Sequence, residues 1–180
     1  LPRNTIRKPW RYPRFVWSIA PILRSHIGSG ENFYLYQVQL GLSGGIEIWK
    51  GFEVVGAVGR DIYNNFDRIT TEPPDFVLHK VRSDIKEYLQ QGTNNIIRLQ
   101  SNYMFMPMPN VYARLSAGIF EEMYGGYSGE ILYRPFGGRV AVGFDLNRVR
   151  QRDFDQRWDY REYSVYTGHV NLYWDLPYYR

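Results

Sequence analysis

The stretch RVAVGFDLNRVRQRDF, residues 139–154, decides how the rest of the chain is read. From Val140 it alternates strictly. Val140, Val142, Phe144 and Leu146 take one set of positions; Ala141, Gly143, Asp145 and Asn147 take the other. Successive side chains of a β-strand point to opposite faces, so this is a strand with one apolar and one polar side. The alternation ends at Arg148, Arg150, Arg152 and Asp153. Its apolar side faces either a protein core or lipid, and its polar side either bulk water or an enclosed lumen.

The same period recurs outward from there. Strands are expected at 15–27, 33–48, 52–63, 95–106, 111–122, 130–134, 139–149 and 163–174. Pro21 inside the first marks it as an edge strand or a bulge. WKG (49–51), PMPN (107–110) and PFGG (135–138) read as tight turns. The alternate connections, GSGEN (28–32), residues 64–94, MYGGYSG (123–129) and the charged run 150–162, are mostly longer. Ile85, Tyr88 and Leu89 have helical spacing, with Ser83 as a cap and Gly92 as a stop, so a short helix is expected within 64–94. Residues 1–13 read as a basic lead-in, and 14–180 as one β-barrel segment. In an up-and-down meander every second connection lies at the same end. Short turns at one end and longer loops at the other are the habit of outer-membrane barrels.

Composition narrows the choice. The chain has 180 residues, 17% of them aromatic, with Tyr 16 and Gly 17. Cysteine is absent, which excludes disulfides and thiolate metal sites. Lys+Arg 22 against Asp+Glu 18 leaves a net charge of +4, too balanced for a nucleic-acid partner. No stretch approaches the roughly 18 apolar residues of a transmembrane helix.

Alternation alone fits a soluble sandwich as well as a membrane barrel. Three features favour lipid. The apolar positions carry mid-sized aliphatics with Ala and Gly, without a core's concentration of bulky residues. Aromatics gather at strand ends: Trp49, Phe52, Phe105, Tyr112, Tyr133 and Trp174 by the tight turns, and Tyr34, Tyr36, Tyr63, Phe120, Tyr124 and Tyr163 by the loops. The polar positions carry Gly, Ser, amides and isolated charges, as a lumen accepts. The expected fold is an all-β, antiparallel up-and-down transmembrane β-barrel, about eight strands in this segment. Neither end reads as a natural terminus, so the strands are expected to be an arc of a larger barrel protein.

The residues expected to line the lumen are Gln37, Gln39, Arg98, Gln100, Asn102, Arg114, Ser116, Asp145, Asn147 and Asn171. Arg148, Arg150, Arg152, Phe154, Arg157 and Trp158 are assigned to a surface loop. There the arginines either pair with Asp153, Asp155, Asp159 and Glu162 or contact lipopolysaccharide phosphates or an acidic polysaccharide. The adjacent carboxylates Glu121 and Glu122, placed at a strand end, would point to opposite faces and make no acid–base pair. His26, His79 and His169 lack ligand spacing, so no metal is expected. There is no GxSxG, HExxH or phosphate loop, and Ser164 and His169 fall on opposite strand faces. No catalytic residue, cofactor or enzymatic activity is expected.

NVYARLSAGIFEEMYGGYSGEILYRPFGGRVAVGFDLNRVRQRDFDQRWDYREYSVYTGHVNLYWD (110–175) closely resembles the YjbH/GfcD family of Gram-negative outer-membrane proteins. So do VRSDIKEYLQQGTNNIIRLQ (81–100) and FYLYQVQLGLSGG (33–45), and the run from EEMYGG through YRPFGG to NRVRQRDF is the most specific part. The resemblance implies a segment of a longer outer-membrane barrel with a role in exopolysaccharide or group 4 capsule secretion. It also implies periplasmic or lipoprotein partners of the same pathway, besides outer-membrane lipid, lipopolysaccharide and the polysaccharide itself. The barrel would offer a polar lumen or docking surface; the alternative is a non-conducting scaffold for periplasmic capsule-assembly partners.

Overall fold

A computed structural model describes residues 11–27, 34–68 and 85–176. Eight strands follow one another: β1 (Arg14–Ile27), β2 (Tyr34–Trp49), β3 (Phe52–Asn64), β4 (Asn95–Met108), β5 (Val111–Ile119), β6 (Tyr124–Tyr133), β7 (Val140–Arg152) and β8 (Tyr160–Trp174). A 3-10 turn (Phe66–Arg68) and the helix α1 (Ile85–Gln91) lie between β3 and β4. Every strand pairs antiparallel with its sequence neighbour, in the order β1 to β8. β1 and β8 are edges and do not pair with each other, so the sheet is open. Pro21 accordingly sits in an edge strand, where its missing N–H costs nothing to the ladder.

Register keeps the alternation in phase across the sheet. One row on the polar face runs Arg14, Glu47, Glu53, Asn102, Ser116, Ser128, Asn147, Thr167. The next apolar row runs Ser101, Ala117, Tyr127, Arg148, Tyr166, and one step along lie Leu115, Gly129, Leu146 and Gly168. The sheet curls around its polar face. Arg24 on β1 pairs with Glu122 in the β5–β6 turn, although in a flat sheet β1 and β5 would stand about 19 Å apart.

This curl reverses the usual arrangement of a half-solvated sheet. Trp17 is 73% exposed, Leu172 73% and Phe144 49%, while Gln37 and Gln39 are 0% exposed and Asn102 5%. Among the described residues the conventional apolar core is small and sits at the loop end. It consists of Leu35, Phe66 and Leu89, beside Tyr88, Met123 and Tyr124 with Val149, Phe154 and Tyr163 packed against them.

Several boundaries differ from expectation. MYGGYSG is not a turn: β6 begins at Tyr124, and residues 120–123 make the connection from β5. The glycines there serve close approach between strands. Gly118 and Gly126 pair directly with φ of 132° and 156°, and a Cβ on Gly126 would lie 2.1 Å from the Arg148 carbonyl oxygen. The connection is therefore as short as the tight turns, and the length asymmetry rests on 65–94 and 153–159. β7 continues to Arg152 and β8 starts at Tyr160, so the charged loop is shorter than expected. The expected helix is present as α1, closed by Gly92, whose N–H bonds the Tyr88 carbonyl at 3.0 Å. Ser83 lies outside the described residues.

Gly51 closes the β2–β3 turn at φ 87°, and a Cβ there would fall 2.2 Å from the Met104 carbonyl oxygen. Gly51→Ala is expected to cost about 1–3 kcal/mol through backbone strain, read as a lowered melting midpoint of the full-length protein by circular dichroism. An unchanged midpoint would show that this turn relaxes freely.

Candidate functional site

All ten residues expected on the polar side share one face of the sheet. Gln37 and Gln39 come from β2, Arg98, Gln100 and Asn102 from β4, Arg114 and Ser116 from β5, Asp145 and Asn147 from β7, and Asn171 from β8. Nine of them, all but Arg98, fall into three hydrogen-bonded groups.

The first lies under the long loop. Arg24 Nη1 donates to Gln37 Oε1 at 3.3 Å, and Gln37 Nε2 donates to Asp61 Oδ1 at 2.8 Å. Gln39 Nε2 donates to the Thr93 carbonyl at 2.9 Å. The second is central. Asn102 Nδ2 donates to Glu53 Oε1 at 2.9 Å, while its Oδ1 accepts from Gln100 and from Ser116 Oγ, each at 2.8 Å. The third spans β5 to β8. Arg114 pairs with Glu130 at 2.5 Å. Asp145 accepts from Asn147 at 2.8 Å, faces His169 Nδ1 at 3.0 Å and lies 3.5 Å from Asn171 Nδ2. Side chains that would be costly alone in a low-dielectric space are paired across strands.

Arg98 differs from these. Its Nε donates to the Phe120 carbonyl at 3.3 Å, and among the described residues it has no carboxylate partner. It lines a cavity of about 580 Å³ with Arg24, His26, Tyr88, Phe120 and Glu122. Glu121 and Glu122 lie in the turn beyond β5, not at a strand end. His169 is on the polar face opposite Asp145, and His79 lies outside the described residues. Among the described residues there is no group of three or more His, Cys, Asp or Glu able to hold a metal ion. No helix among them is long and apolar enough to cross a membrane.

The surface-loop assignment needs correction. Arg148, Arg150 and Arg152 belong to β7, not to the loop. Arg152 is 0% exposed and spans from β7 across the β5–β6 turn to the start of β4. Its Nη1 donates to the carbonyls of Ile96, Glu121 and Glu122 at 2.8, 3.0 and 3.1 Å. Its Nη2 donates to Arg157 at 2.8 Å and also to Gln156. Gln156, at φ 55°, extends the clasp: Nε2 donates to the Tyr88 carbonyl and Oε1 accepts from Asn95, both at 2.7 Å. Tyr88 returns a hydrogen bond to the Arg152 carbonyl at 2.5 Å. Phe154 packs edge-on to Tyr88 at 5.1 Å. Only Arg157 and Trp158 of the six are exposed loop residues. Among the described residues the anticipated Arg–carboxylate network is reduced to Arg161–Asp153 at 3.5 Å; Arg150 and Arg152 bond backbone carbonyls instead, and Arg148 lies over the Tyr166 ring.

The fold and face chemistry define an up-and-down all-β sheet, apolar outside and polar within. The chain matches over residues 3–179 the model of a family described as "Exopolysaccharide biosynthesis protein YbjH". It belongs to that family, YjbH. It is 36% identical over 168 residues to "Uncharacterized lipoprotein YjbH" of Escherichia coli (strain K12), an alignment covering 89% of this chain and 24% of the relative. The chain thus spans about a quarter of that relative's length. No solved structure matches it.

Arg152→Met removes the donors to five carbonyls and is expected to destabilise the full-length protein by roughly 3–5 kcal/mol. Arg157→Met, at an exposed position, should stay within about 0.5 kcal/mol. Chemical denaturation distinguishes them, and equal midpoints would show that the clasp contributes nothing.

Proposed function

We propose that this chain is part of a transmembrane β-barrel in the Gram-negative outer membrane, acting in exopolysaccharide or capsule secretion without catalysing a reaction. The observation that carries the reading is the inversion of the sheet: apolar side chains are exposed on one face, while the other buries Gln37, Gln39, Asn102 and Ser116 and carries paired charges beside them. Soluble monomers rarely expose contiguous apolar patches beyond a few hundred Å². Here that face runs through Trp17, Leu40, Leu42, Leu115, Ile131, Phe144, Val170 and Leu172, each at least 46% exposed.

Aromatic rows bound this face at both ends. Trp49 and Phe52 stack at 4.4 Å, and Tyr103 and Phe105 at 5.1 Å, beside the tight turns. Tyr34, Tyr36 and Tyr63 form a run with centroids 5.8 Å apart at the loop end. The interval between Tyr166 and Trp174 on β8 is about the 9–11 residues a tilted membrane-crossing strand requires. Lipid cannot satisfy an open edge, so β1 and β8 would pair with other strands of the full-length barrel. The polar face would then offer hydroxyl-binding amides and paired charges to a passing or docked polysaccharide, with no driving force of its own. A scaffold that does not conduct is the second reading, and the Arg152 clasp across the loop end favours it.

The full-length protein should require detergent to remain monodisperse, and monodispersity in detergent-free buffer overturns the membrane reading. In planar bilayers a conducting lumen predicts that Arg114→Glu and Asp145→Arg shift ion selectivity in opposite senses, by about twofold or more. A protein that inserts and never conducts supports the scaffold.

A further inference from the structure

The apolar face of β7 does not remain apolar to its end. Pairing of β7 with both neighbours runs without a shift as far as Arg150. Register therefore carries Arg148 and Arg150 onto the face of Phe144 and Leu146. Tyr127 on β6 and Tyr166 on β8 flank Arg148 directly, and the Arg148 guanidinium carbon lies 5.6 Å from the Tyr166 ring centroid. Arg150 Nε donates to the Arg161 carbonyl at 2.5 Å, which leaves its terminal nitrogens outside that bond. Among the described residues neither arginine is within ion-pair distance of a carboxylate.

A hollow of about 470 Å³ opens beside them, with Gly125 and Gly126 among its lining residues and Tyr127 and Glu162 beside the arginines. That is within the range of small-molecule sites, about 300–1,000 Å³. A lipid-facing arginine is strongly unfavourable at the bilayer midplane and tolerated near the interface. Two of them next to the last aliphatic row are tolerable only at headgroup level. There the guanidinium fork matches phosphate oxygens two at a time. Glu162 reduces the local charge to a net +1, which a phosphate alone does not need. A hydroxyl-bearing ring would use it, and the Tyr127 ring offers a stacking face.

We infer that this hollow binds the phosphorylated sugar headgroup of an outer-leaflet glycolipid of the lipid A class. Arg148 and Arg150 hold a phosphate, and Tyr127 and Glu162 hold the adjoining sugar. The inference rests on the membrane reading above, since the loop end of such a barrel faces the outer leaflet.

The test uses the full-length protein in nanodiscs, with bisphosphorylated lipid A as the probe and retention read by native mass spectrometry. Wild type should retain it at least about tenfold better than the Arg148→Glu/Arg150→Glu double variant. Arg148→Lys/Arg150→Lys should fall between them, because a point charge keeps the attraction without the fork. Arg157→Glu, in the exposed loop, should behave as wild type. Excess phosphatidylglycerol or inorganic phosphate should not displace the lipid. Retention by the double variant equal to wild type overturns the inference, and displacement by either competitor overturns the glycolipid assignment. A protein that enters nanodiscs but holds lipid A regardless of Arg148 and Arg150 leaves the membrane reading intact. One that does not enter at all overturns both.

Discussion

Phase is the constraint on which this sheet depends. A strand alternates its side chains, and one residue of slippage exchanges its faces. Seven successive pairings hold eight strands in phase. The irregularities, at Val38/Gln39, Glu47/Trp49, Ala57/Val58, Phe105/Met108 and Arg150/Arg152, leave the central rows intact. Because of that, Asp145 meets Glu130 on one side and His169 on the other, while Phe144 meets Ile131 and Val170. A slip in β7 alone would carry Asp145 among exposed aliphatics and turn Phe144 toward Asn102 and Ser116.

The polar face accepts its polar side chains because they answer one another, across strands from Asn102 to Glu53 and Ser116 and along them from Gln100 to Asn102 and Asn147 to Asp145. Half-buried Glu53 would lose its amide donor without Asn102, and the Asn102 Oδ1 would lack its donors without Gln100 and Ser116. At the loop end the solution changes. Backbone carbonyls from two connections and from the start of β4 converge on one guanidinium, and helix α1 supplies an apolar surface for Phe154 and Met123. Pairing across strands holds the wall, and a clasp with a small core holds the end.

Much of this was legible in the residues themselves. Val140 to Asn147 announced two faces, and the ten polar-face residues followed from the same count of odd and even positions. Pro21 announced an edge, and Gly92 a helix end. Other features were not legible, for identifiable reasons. MYGGYSG has the composition of a turn, and only the close approach of the β5 backbone to Gly125 and of the β7 backbone to Gly126 explains glycines inside a strand. Arg152 stands in a run of charges that looks solvated. Its partners are carbonyls of Ile96, Glu121, Glu122 and Arg157, and a carbonyl leaves no trace in sequence. The separation of Arg148 and Arg150 from the loop also required register, since alternation of Arg with Val149 and Gln151 reads equally as coil.

Strictly sequential pairing has a consequence for how such a wall changes over time. In the backbone ladder each hairpin pairs only with the hairpins before and after it, so the hairpin is a module of circumference. Duplicating one would widen the wall and deleting one would narrow it. Either event preserves an even strand count and the inside–outside phase of every other strand. The exceptions are the Arg24–Glu122 pair, which ties β1 to the β5–β6 turn, and the stretch fastened by Arg152, from the start of β4 to the β7–β8 loop. What these ties span has to be inherited whole, and variation in width is confined to the hairpins outside it.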